Sequence, residues 1–308
     1  MKLLLLGANG QVGHELRRSL APLGEVVATT RSGLLDEGIA CERLDLADLD
    51  AIGPLIERVR PDVVVNAAAY TAVDKAEDEA ATAFLANAQG PGRLAEACAA
   101  RGIDLVHYST DYVFDGQGTR PYREDDPTAP LGVYGQSKLA GEQGIVASGV
   151  RHLILRTAWV YGLYGQNFLR TMLRVGAERD ELRVVADQRG CPTPAWLIAD
   201  VTAQVLRQGL AESGIRHVVA GGETSWHGFA EAIFDEAVRI GTLGRRPQVR
   251  AIATMDYPTR ARRPAYSVLD TRRLCAEYQL SLPDWQNALQ STVGVFATGR
   301  TDSATPSR

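Results

Sequence analysis

A tyrosine and a lysine stand four residues apart in Tyr134-Gly135-Gln136-Ser137-Lys138, inside a pattern that predicts a helix. That spacing places both side chains on one helix face, about one turn apart. A tyrosine hydroxyl has an ordinary pKa of about 10, so it is a weak acid at neutral pH. An ammonium nearby favours the phenolate and brings the hydroxyl towards useful acidity. The pair is a candidate proton donor, although the same spacing also occurs by chance on exposed helices.

Hydroxyl groups stand at the end of a predicted strand, Asp104–Ser109, where Ser109 and Thr110 are followed by Asp111. Ligands of open α/β sheets bind at the carboxyl ends of the strands. A hydroxyl there can donate a hydrogen bond to a substrate carbonyl oxygen, or it can simply cap a loop. Its position between a glycine turn and the Tyr134–Lys138 pair favours catalysis.

That glycine turn comes first in the chain, where the apolar run Leu3–Leu6 leads into Gly7, Gly10 and Gly13. The pattern predicts a buried strand, a tight turn and the N-terminus of a helix. Glycine lets a phosphate approach backbone amides, and the helix N-terminus adds a partial positive charge. In this setting the glycines indicate a dinucleotide site rather than a plain turn.

The choice of dinucleotide depends on the end of the second predicted strand. An acidic residue about 20 residues after the glycines would bind the ribose 2′-hydroxyl of NAD. This chain has Thr29-Thr30-Arg31-Ser32 there, so no carboxylate repels a 2′-phosphate. Arg31 and Ser32 could bind that phosphate, and we therefore expect NADPH to be preferred, with NADH also possible.

The elements that must position these groups alternate between strand and helix patterns, which predicts an α/β fold with a Rossmann-like, doubly wound parallel sheet. Predicted strands are Lys2–Leu6, Glu25–Thr29, Asp62–Ala67, Asp104–Ser109, His152–Thr157, Leu182–Val185 and His217–Ala220. Predicted helices are Gln11–Ala21, Leu49–Arg58, Glu79–Arg101, Tyr134–Ala147, Asn167–Ala177, Ala195–Arg207 and Phe229–Ile240.

The pattern loosens after about Tyr161, and the stretch from Pro247 to Leu282 is rich in Pro and Arg with little periodicity. We therefore expect a smaller, interleaved C-terminal substrate-binding lobe beside the NAD(P)-binding Rossmann domain. The predicted division assigns 1–160 plus about 181–222 to the Rossmann domain, about 161–180 and 223–296 to the lobe, and 297–308 to a disordered tail.

Bulk composition is that of an ordinary globular protein: 308 residues, 45% hydrophobic and 23% charged, with a net charge of −4. This balance gives no reason to expect nucleic acid or an anionic membrane as a partner. The four scattered cysteines form no C-x-x-C pair, and the apolar run after Met1 is too short for a signal peptide. A cytoplasmic location is the default expectation.

Taken together, these motifs resemble the dTDP-4-dehydrorhamnose reductase family of the extended short-chain dehydrogenase/reductase superfamily. The similarity covers nearly the whole chain. It is carried by Gly7–Gly13, Asp45-Leu46, the run from Asn66 to Glu77, Ser109–Gly116, Tyr134–Lys138, Arg156–Gly162 and Asp187–Thr193. The resemblance implies reduction of the 4-keto group of dTDP-4-dehydro-6-deoxy-L-mannose to dTDP-L-rhamnose by NADPH or NADH.

By the same resemblance, Thr110 helps polarise the carbonyl, Tyr134 donates the proton, and Lys138 tunes Tyr134 and holds the nicotinamide ribose. The implied cofactor residues are Gly7, Asn9, Gly10, Gln11 and Val12 at the pyrophosphate, Asp45 and Leu46 at the adenine, and Ala67, Ala68 and Ala69 along the ribose. The implied substrate residues are Thr110, Asp111, Tyr134, Trp159, Asn167, Arg260, Arg262 and Arg263.

Two alternatives stay open beside this one. A reductase or epimerase of another nucleotide sugar would share the chemistry, since base recognition depends on loops that the sequence does not place. A non-catalytic NADP-binding regulatory subunit would also share the fold, although such proteins tend to lose part of the Thr110–Tyr134–Lys138 set. A dehydratase is disfavoured because Tyr112 stands where the extra carboxylate would be needed.

The basic run Arg260-Ala261-Arg262-Arg263 lies between Pro258 and Pro264. It could be a solvated surface loop or a cradle for the substrate diphosphate. Which arginine makes the contact is left open.

Metal binding is not expected. Some relatives bind magnesium at a dimer interface through acidic side chains, and Glu15 is present here. The other acidic position of the family corresponds to Trp196, and an indole cannot ligate a hard cation. We therefore predict no essential metal and a chain that is a monomer or a homodimer.

Overall fold

The first strand, β1 (Lys2–Leu6), is buried on both of its faces. Leu3 and Leu5 pack into one hydrophobic cluster and Leu4 and Leu6 into another, because successive side chains of a strand point to opposite faces. Such two-sided burial requires layers of structure on both sides of the sheet, as the run of four leucines predicts.

The structure, a computed structural model, describes residues 1–298, with side chains through residue 295. After β1, its strands are β2 (Glu25–Thr30), β3 (Glu42–Arg43), β4 (Val63–Asn66), β5 (Asp104–Thr110), β6 (His152–Thr157), β7 (Val160–Tyr161), β8 (Glu181–Val185), β9 (Arg189–Gly190), β10 (Thr193–Pro194), β11 (Gly214–His217), β12 (Thr224–Ser225) and β13 (Gln248–Ile252). Its α-helices are α1 (Gln11–Leu20), α2 (Leu49–Val59), α3 (Val73–Ala76), α4 (Ala80–Phe84), α5 (Gly90–Ala99), α6 (Val133–Ala147), α7 (Phe168–Glu178), α8 (Ala195–Gln208), α9 (Trp226–Arg239), α10 (Arg272–Tyr278) and α11 (Trp285–Thr298).

Seven strands form the large sheet in the order β11-β6-β5-β4-β1-β2-β3, and every pairing in it is parallel. The chain moves outwards from β1 in both directions, so the strand order reverses between β1 and β4. Side chains and loops at the carboxyl ends of these two strands enclose the crevice where such sheets bind ligands. The predicted α/β, doubly wound parallel sheet is confirmed.

Among the predicted elements whose bounds differ from those observed, two are instructive. The predicted strand His217–Ala220 is observed as Gly214–His217, which pairs with Leu153–Arg156 of β6. The apolar residues that follow, Val218–Ala220, lie in the core beyond the end of that pairing, so apolarity alone misplaced the strand. The predicted helix Glu79–Arg101 is interrupted by the π-helical turn Leu85–Gln89 between α4 and α5.

The second half of the chain adds small two-stranded sheets beside the large one. Strand β8 pairs in parallel with β13, not with the large sheet, although the predicted division placed 181–222 in the Rossmann domain. Strand β13 and helix α10 also lie in the Pro- and Arg-rich stretch where little regular structure was expected. The division into two lobes stays a proposal, and β8 would belong to the lobe of its partner.

The last helix, α11, runs to Thr298 and so includes the first two residues of the predicted tail, whose disorder stays a prediction. The rest of that tail, 299–308, lies outside the described residues. Among residues 1–298, no helix combines the length and apolar character needed to cross a bilayer.

Candidate active site

The glycine turn joins β1 to α1 and lies directly against the chain that leaves β4. Gly7 has a φ of +77°, and a Cβ on it would lie 2.7 Å from the Ala68 nitrogen. A Cβ on Gly13 would lie 2.0 Å from the Gly7 oxygen. Both positions therefore require glycine, and the turn brings Ala67 and Ala68 beside it as the expected cofactor residues.

The start of α1 suits an anionic group such as a pyrophosphate. Gly10 caps the helix without a side-chain hydrogen bond, so the first backbone N–H groups of α1 depend on another partner. Asn9 donates from Nδ2 to the Leu34 carbonyl oxygen at 3.1 Å, whereas its buried Oδ1 has no partner among the described residues. A glycine cradle, uncapped amides and a vacant buried acceptor fit the dinucleotide predicted for this turn.

The end of β2 presents one cation. Arg31 is exposed and makes no ion pair within the described part of the chain, so its guanidinium is available to a 2′-phosphate. The Ser32 hydroxyl contacts the backbone N–H and carbonyl oxygen of Leu34, within its own turn. Asp45, expected at the adenine, is exposed and accepts from the Ala47 N–H, while Leu46 is buried.

A loop from Gly162 to Asn167 covers the first turn of α1. Asn167 donates from Nδ2 to Gln11 Oε1 at 2.9 Å and caps α7 by accepting from the Arg170 N–H. The ring of Tyr164 stacks on His14 with centroids 4.0 Å apart. Val12 packs against the large core cluster. Asn167 therefore lies at the cofactor turn, and its contact with the substrate diphosphate stays a prediction.

Thr110 ends β5 and is buried beside Asp111. Its Oγ1 accepts from the Tyr112 N–H at 3.2 Å and donates to Asp111 Oδ1 at 3.0 Å. Burial raises the pKa of Asp111 to about 6, although the hydroxyls of Ser267 and Thr110 lower it in part. A carboxylate that is hard to ionise and a threonine hydroxyl thus occupy the carboxyl end of the strand.

Tyr134 lies in the first turn of α6, with its side chain near those of Thr110 and Asp111. Its ring meets that of Tyr112 edge-on, with centroids 5.6 Å apart. Burial raises the pKa of Tyr134 to about 12, the Thr110 hydrogen bond lowers it, and the nearby Asp111 charge raises it. Desolvation of the phenolate thus outweighs the one favourable contact, contrary to the lowering that the spacing predicts. Tyr134 therefore keeps its proton at neutral pH.

Lys138 is buried one turn further along α6. Its Nζ donates to the backbone oxygen of Tyr108 at 2.6 Å and lies 3.3 Å from Nε2 of His107. Burial lowers the pKa of Lys138 to about 8, although the Glu142 charge raises it. The ammonium is therefore anchored to β5, and it remains charged over the neutral range.

Trp159 follows β6 with a φ of +48°, an unusual value for a bulky residue. Its indole stacks on Trp226 with centroids 3.6 Å apart, and a Cβ on Gly190 would lie 2.4 Å from it. These neighbours hold the indole in one place, as a wall of the crevice requires. Its expected contact with the sugar stays a prediction.

The basic run is partly neutralised by acidic side chains from the segment after β4. Arg260 pairs with Asp78, and Arg263 pairs with Asp74 at 2.8 Å. Arg262 is exposed and has no ion pair among the residues that the structure describes. Of the three predicted arginines, Arg262 is thus the one whose charge is uncompensated.

Several residues that shape the site were not predicted from the sequence. His107 lies between Asn66 and Lys138 and contacts both in the buried interior. Glu77 caps α6 by accepting from the Val133 N–H at 2.9 Å, and Trp226 stacks on Trp159. Asn66 and Glu77 are the first and last residues of a run that carries the family resemblance. Nothing local in the sequence, however, indicates the partners of their side chains.

No group of three or more side chains suited to hold a metal is present in the described part of the chain. Trp196, the residue at the acidic position of some relatives, donates from Nε1 to Thr292 Oγ1 at 2.9 Å. Glu15 is buried and ion-paired with Arg18. The absence of an essential metal stays a prediction.

Comparisons with known proteins find relatives that match nearly the whole chain. The model of the RmlD substrate binding domain matches residues 1–297. A dTDP-4-dehydrorhamnose reductase of Shigella flexneri is 46% identical over 289 residues, 93% of this chain and 95% of the relative. The corresponding Burkholderia thailandensis enzyme is 47% identical over 300 residues, 94% of this chain and 97% of that one. A crystal structure of the Bacillus anthracis enzyme in complex with NADP superposes with a TM-score of 0.86 at 34% identity, covering 95% of this chain and 98% of that one.

Proposed function

The chain belongs to the dTDP-4-dehydrorhamnose reductase family, and on that premise we propose that it reduces the 4-keto group of dTDP-4-dehydro-6-deoxy-L-mannose to dTDP-L-rhamnose with NADPH. The observation that carries the proposal is that the buried Thr110 and Tyr134 side chains come together at the carboxyl edge of the sheet, one helical turn from Lys138. Two hydroxyls converge there on one point, beside the cofactor turn, as carbonyl reduction requires.

Each part of the reaction has a group suited to it. Bound NADPH supplies the hydride. The proton for the developing alkoxide comes from Tyr134, which holds it at neutral pH because burial raises its pKa to about 12. Thr110 would orient the carbonyl oxygen towards Tyr134 when its hydroxyl hydrogen turns from Asp111 to the substrate. The Lys138 ammonium, fixed at the Tyr108 carbonyl, offsets the negative charge left on Tyr134.

The preference for NADPH is also proposed here. Strand β2 ends in Thr29 and Thr30, neither of which repels a phosphate, and Arg31 follows with an unpaired guanidinium among the described residues. An arginine suits a 2′-phosphate because its planar fork makes two parallel hydrogen bonds. A relative crystallised with NADP supports the same choice.

We place the reaction in the cytoplasm and propose a monomer or homodimer that takes a dTDP-sugar. The four cysteines are free thiols, which suits a reducing compartment. The substrate diphosphate would meet Arg262, and the sugar would lie between Trp159 and the Thr110–Tyr134 pair.

The test is oxidation of NADPH by the purified protein with the dTDP-4-keto sugar, run beside its UDP and GDP counterparts. Tyr134→Phe should lower turnover by about 10²–10⁴-fold, the usual contribution of a general acid, and leave NADPH binding unchanged. Tyr278→Phe is the matched control, because Tyr278 ends α10 and its hydroxyl accepts from the backbone N–H of Ala211 rather than from any residue of the site. NADPH binding without turnover of any sugar would instead identify a regulatory subunit, and a preference for UDP or GDP would identify another nucleotide-sugar reductase.

A further inference from the structure

Three polar side chains form a buried line behind the proposed catalytic tyrosine. Asn66 on β4, His107 on β5 and Lys138 on α6 are exposed by 1%, 0% and 2%. Asn66 and His107 are direct partners in the register of the two strands, so both side chains point to the same face of the sheet. Lys138 reaches this face from the helix above.

The orientation of the Asn66 amide follows from the backbone. The Ala68 N–H donates to Asn66 Oδ1 at 3.1 Å, and a backbone N–H can only donate. The other amide atom, Nδ2, therefore faces His107 Nδ1 at 3.0 Å and must donate to it. A neutral imidazole whose Nδ1 accepts carries its hydrogen on Nε2. Asn66 thus determines the tautomer of His107.

That tautomer directs a donor at Lys138, because His107 Nε2 lies 3.3 Å from Lys138 Nζ. An ammonium has three N–H donors and no acceptor, whereas a neutral amine has a lone pair that can accept from Nε2–H. We propose that His107, held as the Nε2–H tautomer by Asn66, is a positioning residue that favours the amine form of Lys138 and so sets the pH range in which the lysine carries its charge.

The remaining groups around Lys138 have opposing effects on its pKa. Glu142, on the same helix, favours the ammonium, but Arg156 of β6 neutralises that carboxylate in a buried pair at 2.6 Å. The Tyr108 carbonyl oxygen accepts from either form. Burial lowers the pKa of Lys138, and burial together with the Lys138 charge lowers that of His107 well below its ordinary value. His107 is therefore neutral throughout the working range, as a fixed donor must be.

The catalytic consequence rests on the proposed function: the lysine would offset the Tyr134 phenolate at neutral pH and lose that ability in mildly alkaline solution. The tautomer and the titration do not depend on it, since both are measured on the protein without substrate. Failure of the sugar assay would overturn the proposed function and leave the line from Asn66 to Lys138 standing.

The first measurement is the tautomer of His107, read by long-range proton–nitrogen correlation on ¹⁵N-histidine-labelled protein. The chain has five histidines, and loss of one signal in His107→Gln assigns it. We expect the neutral Nε2–H form at every pH at which the protein is folded. A neutral Nδ1–H form, or a charged ring at neutral pH, would overturn the proposal.

The second measurement is the titration of Lys138, followed at its ε-carbon in ¹³C-lysine-labelled protein. The only lysines are Lys2, Lys75 and Lys138, so Lys138→Met assigns the signal. Asn66→Ala frees His107 to carry its hydrogen on Nδ1 and to accept from the ammonium. The pKa of Lys138 should then rise by about one pH unit.

Asn87→Ala is the matched control. Asn87 is equally buried and bonds the Ser137 hydroxyl, next to Lys138, but it does not contact His107. This variant should leave the Lys138 titration unchanged. Equal shifts in both variants, or no shift in Asn66→Ala, would show that His107 does not act on the lysine. If Asn66→Ala fails to fold, the tautomer measured in the wild-type protein still decides the proposal.

Discussion

The Thr110 hydroxyl donates its single proton to the Asp111 carboxylate, with 3.0 Å between Oγ1 and Oδ1. The proton that Thr110 was expected to offer to a carbonyl oxygen is therefore already shared when Asp111 is ionised. Because burial raises the pKa of Asp111 to about 6, the sharing begins just below neutral pH. Asp111 thus influences both the stability of the fold and the availability of Thr110.

Asp111→Asn should remove a pH-dependent cost to folding. The pKa of Asp111 is raised from 3.8 to about 6, so the folded protein binds the proton more tightly than the unfolded chain. The contribution of Asp111 to the free energy of unfolding is most favourable below about pH 4. It falls by about 3 kcal/mol at most as the pH rises to about 6. Urea unfolding of both proteins across this range should show the wild type losing stability relative to the variant. A constant difference would contradict the raised pKa.

Lys138→Met should separate stability from activity. The pKa of Lys138 is lowered from 10.5 to about 8, so below about pH 8 the folded protein carries a desolvated ammonium that costs up to about 3 kcal/mol. The variant should therefore unfold at a temperature no lower than the wild type at pH 7, while turnover falls by about 100-fold or more. Relative to the variant, the wild type should gain stability from about pH 8 to pH 10.5. Calorimetry measures the unfolding temperature and the NADPH assay measures turnover. A variant that unfolds at a lower temperature than the wild type at pH 7 would contradict the expectation.

Arg31→Ala should weaken NADPH and spare NADH. Loss of one charge-assisted contact with the 2′-phosphate should raise the KM for NADPH by about 10- to 100-fold. The KM for NADH should not change, because NADH has no such phosphate. Arg58→Ala is the control, because Arg58 is an exposed arginine of α2 that pairs with Glu42 of β3. Steady-state kinetics with both dinucleotides measures the effect. Equal losses for the two cofactors would remove Arg31 from 2′-phosphate recognition.

Arg262→Ala should raise the KM for the sugar nucleotide by about tenfold with little change in kcat, because its charge is the uncompensated one of the basic run. Arg260→Ala should have a smaller effect, since Asp78 already neutralises that guanidinium. Kinetics at saturating NADPH compares the two. A larger loss in Arg260→Ala would assign the diphosphate to the other arginine.

The large sheet and the cofactor turn were predictable because their signals are local. Four leucines in a row require burial on both faces, and Gly7 and Gly13 stand where a Cβ would collide with backbone atoms. The positions and partners of strands β8 and β11 were harder to predict. Their pairing depends on which distant strand lies alongside, and β13 comes from a stretch without clear periodicity.

For the candidate site, the sequence by itself determined the reactive groups: Thr110 at a strand end, Tyr134 and Lys138 one helical turn apart, and the glycine turn that receives the cofactor. Only the tertiary structure decided their protonation. Burial raises the pKa of Tyr134 and lowers that of Lys138, opposite to what their spacing on a helix suggests. The tautomer of His107 depends on an amide whose direction is set by the backbone at Ala68. The physical reason is that desolvation and hydrogen-bond direction belong to the whole packed environment, and no spacing along the chain encodes them.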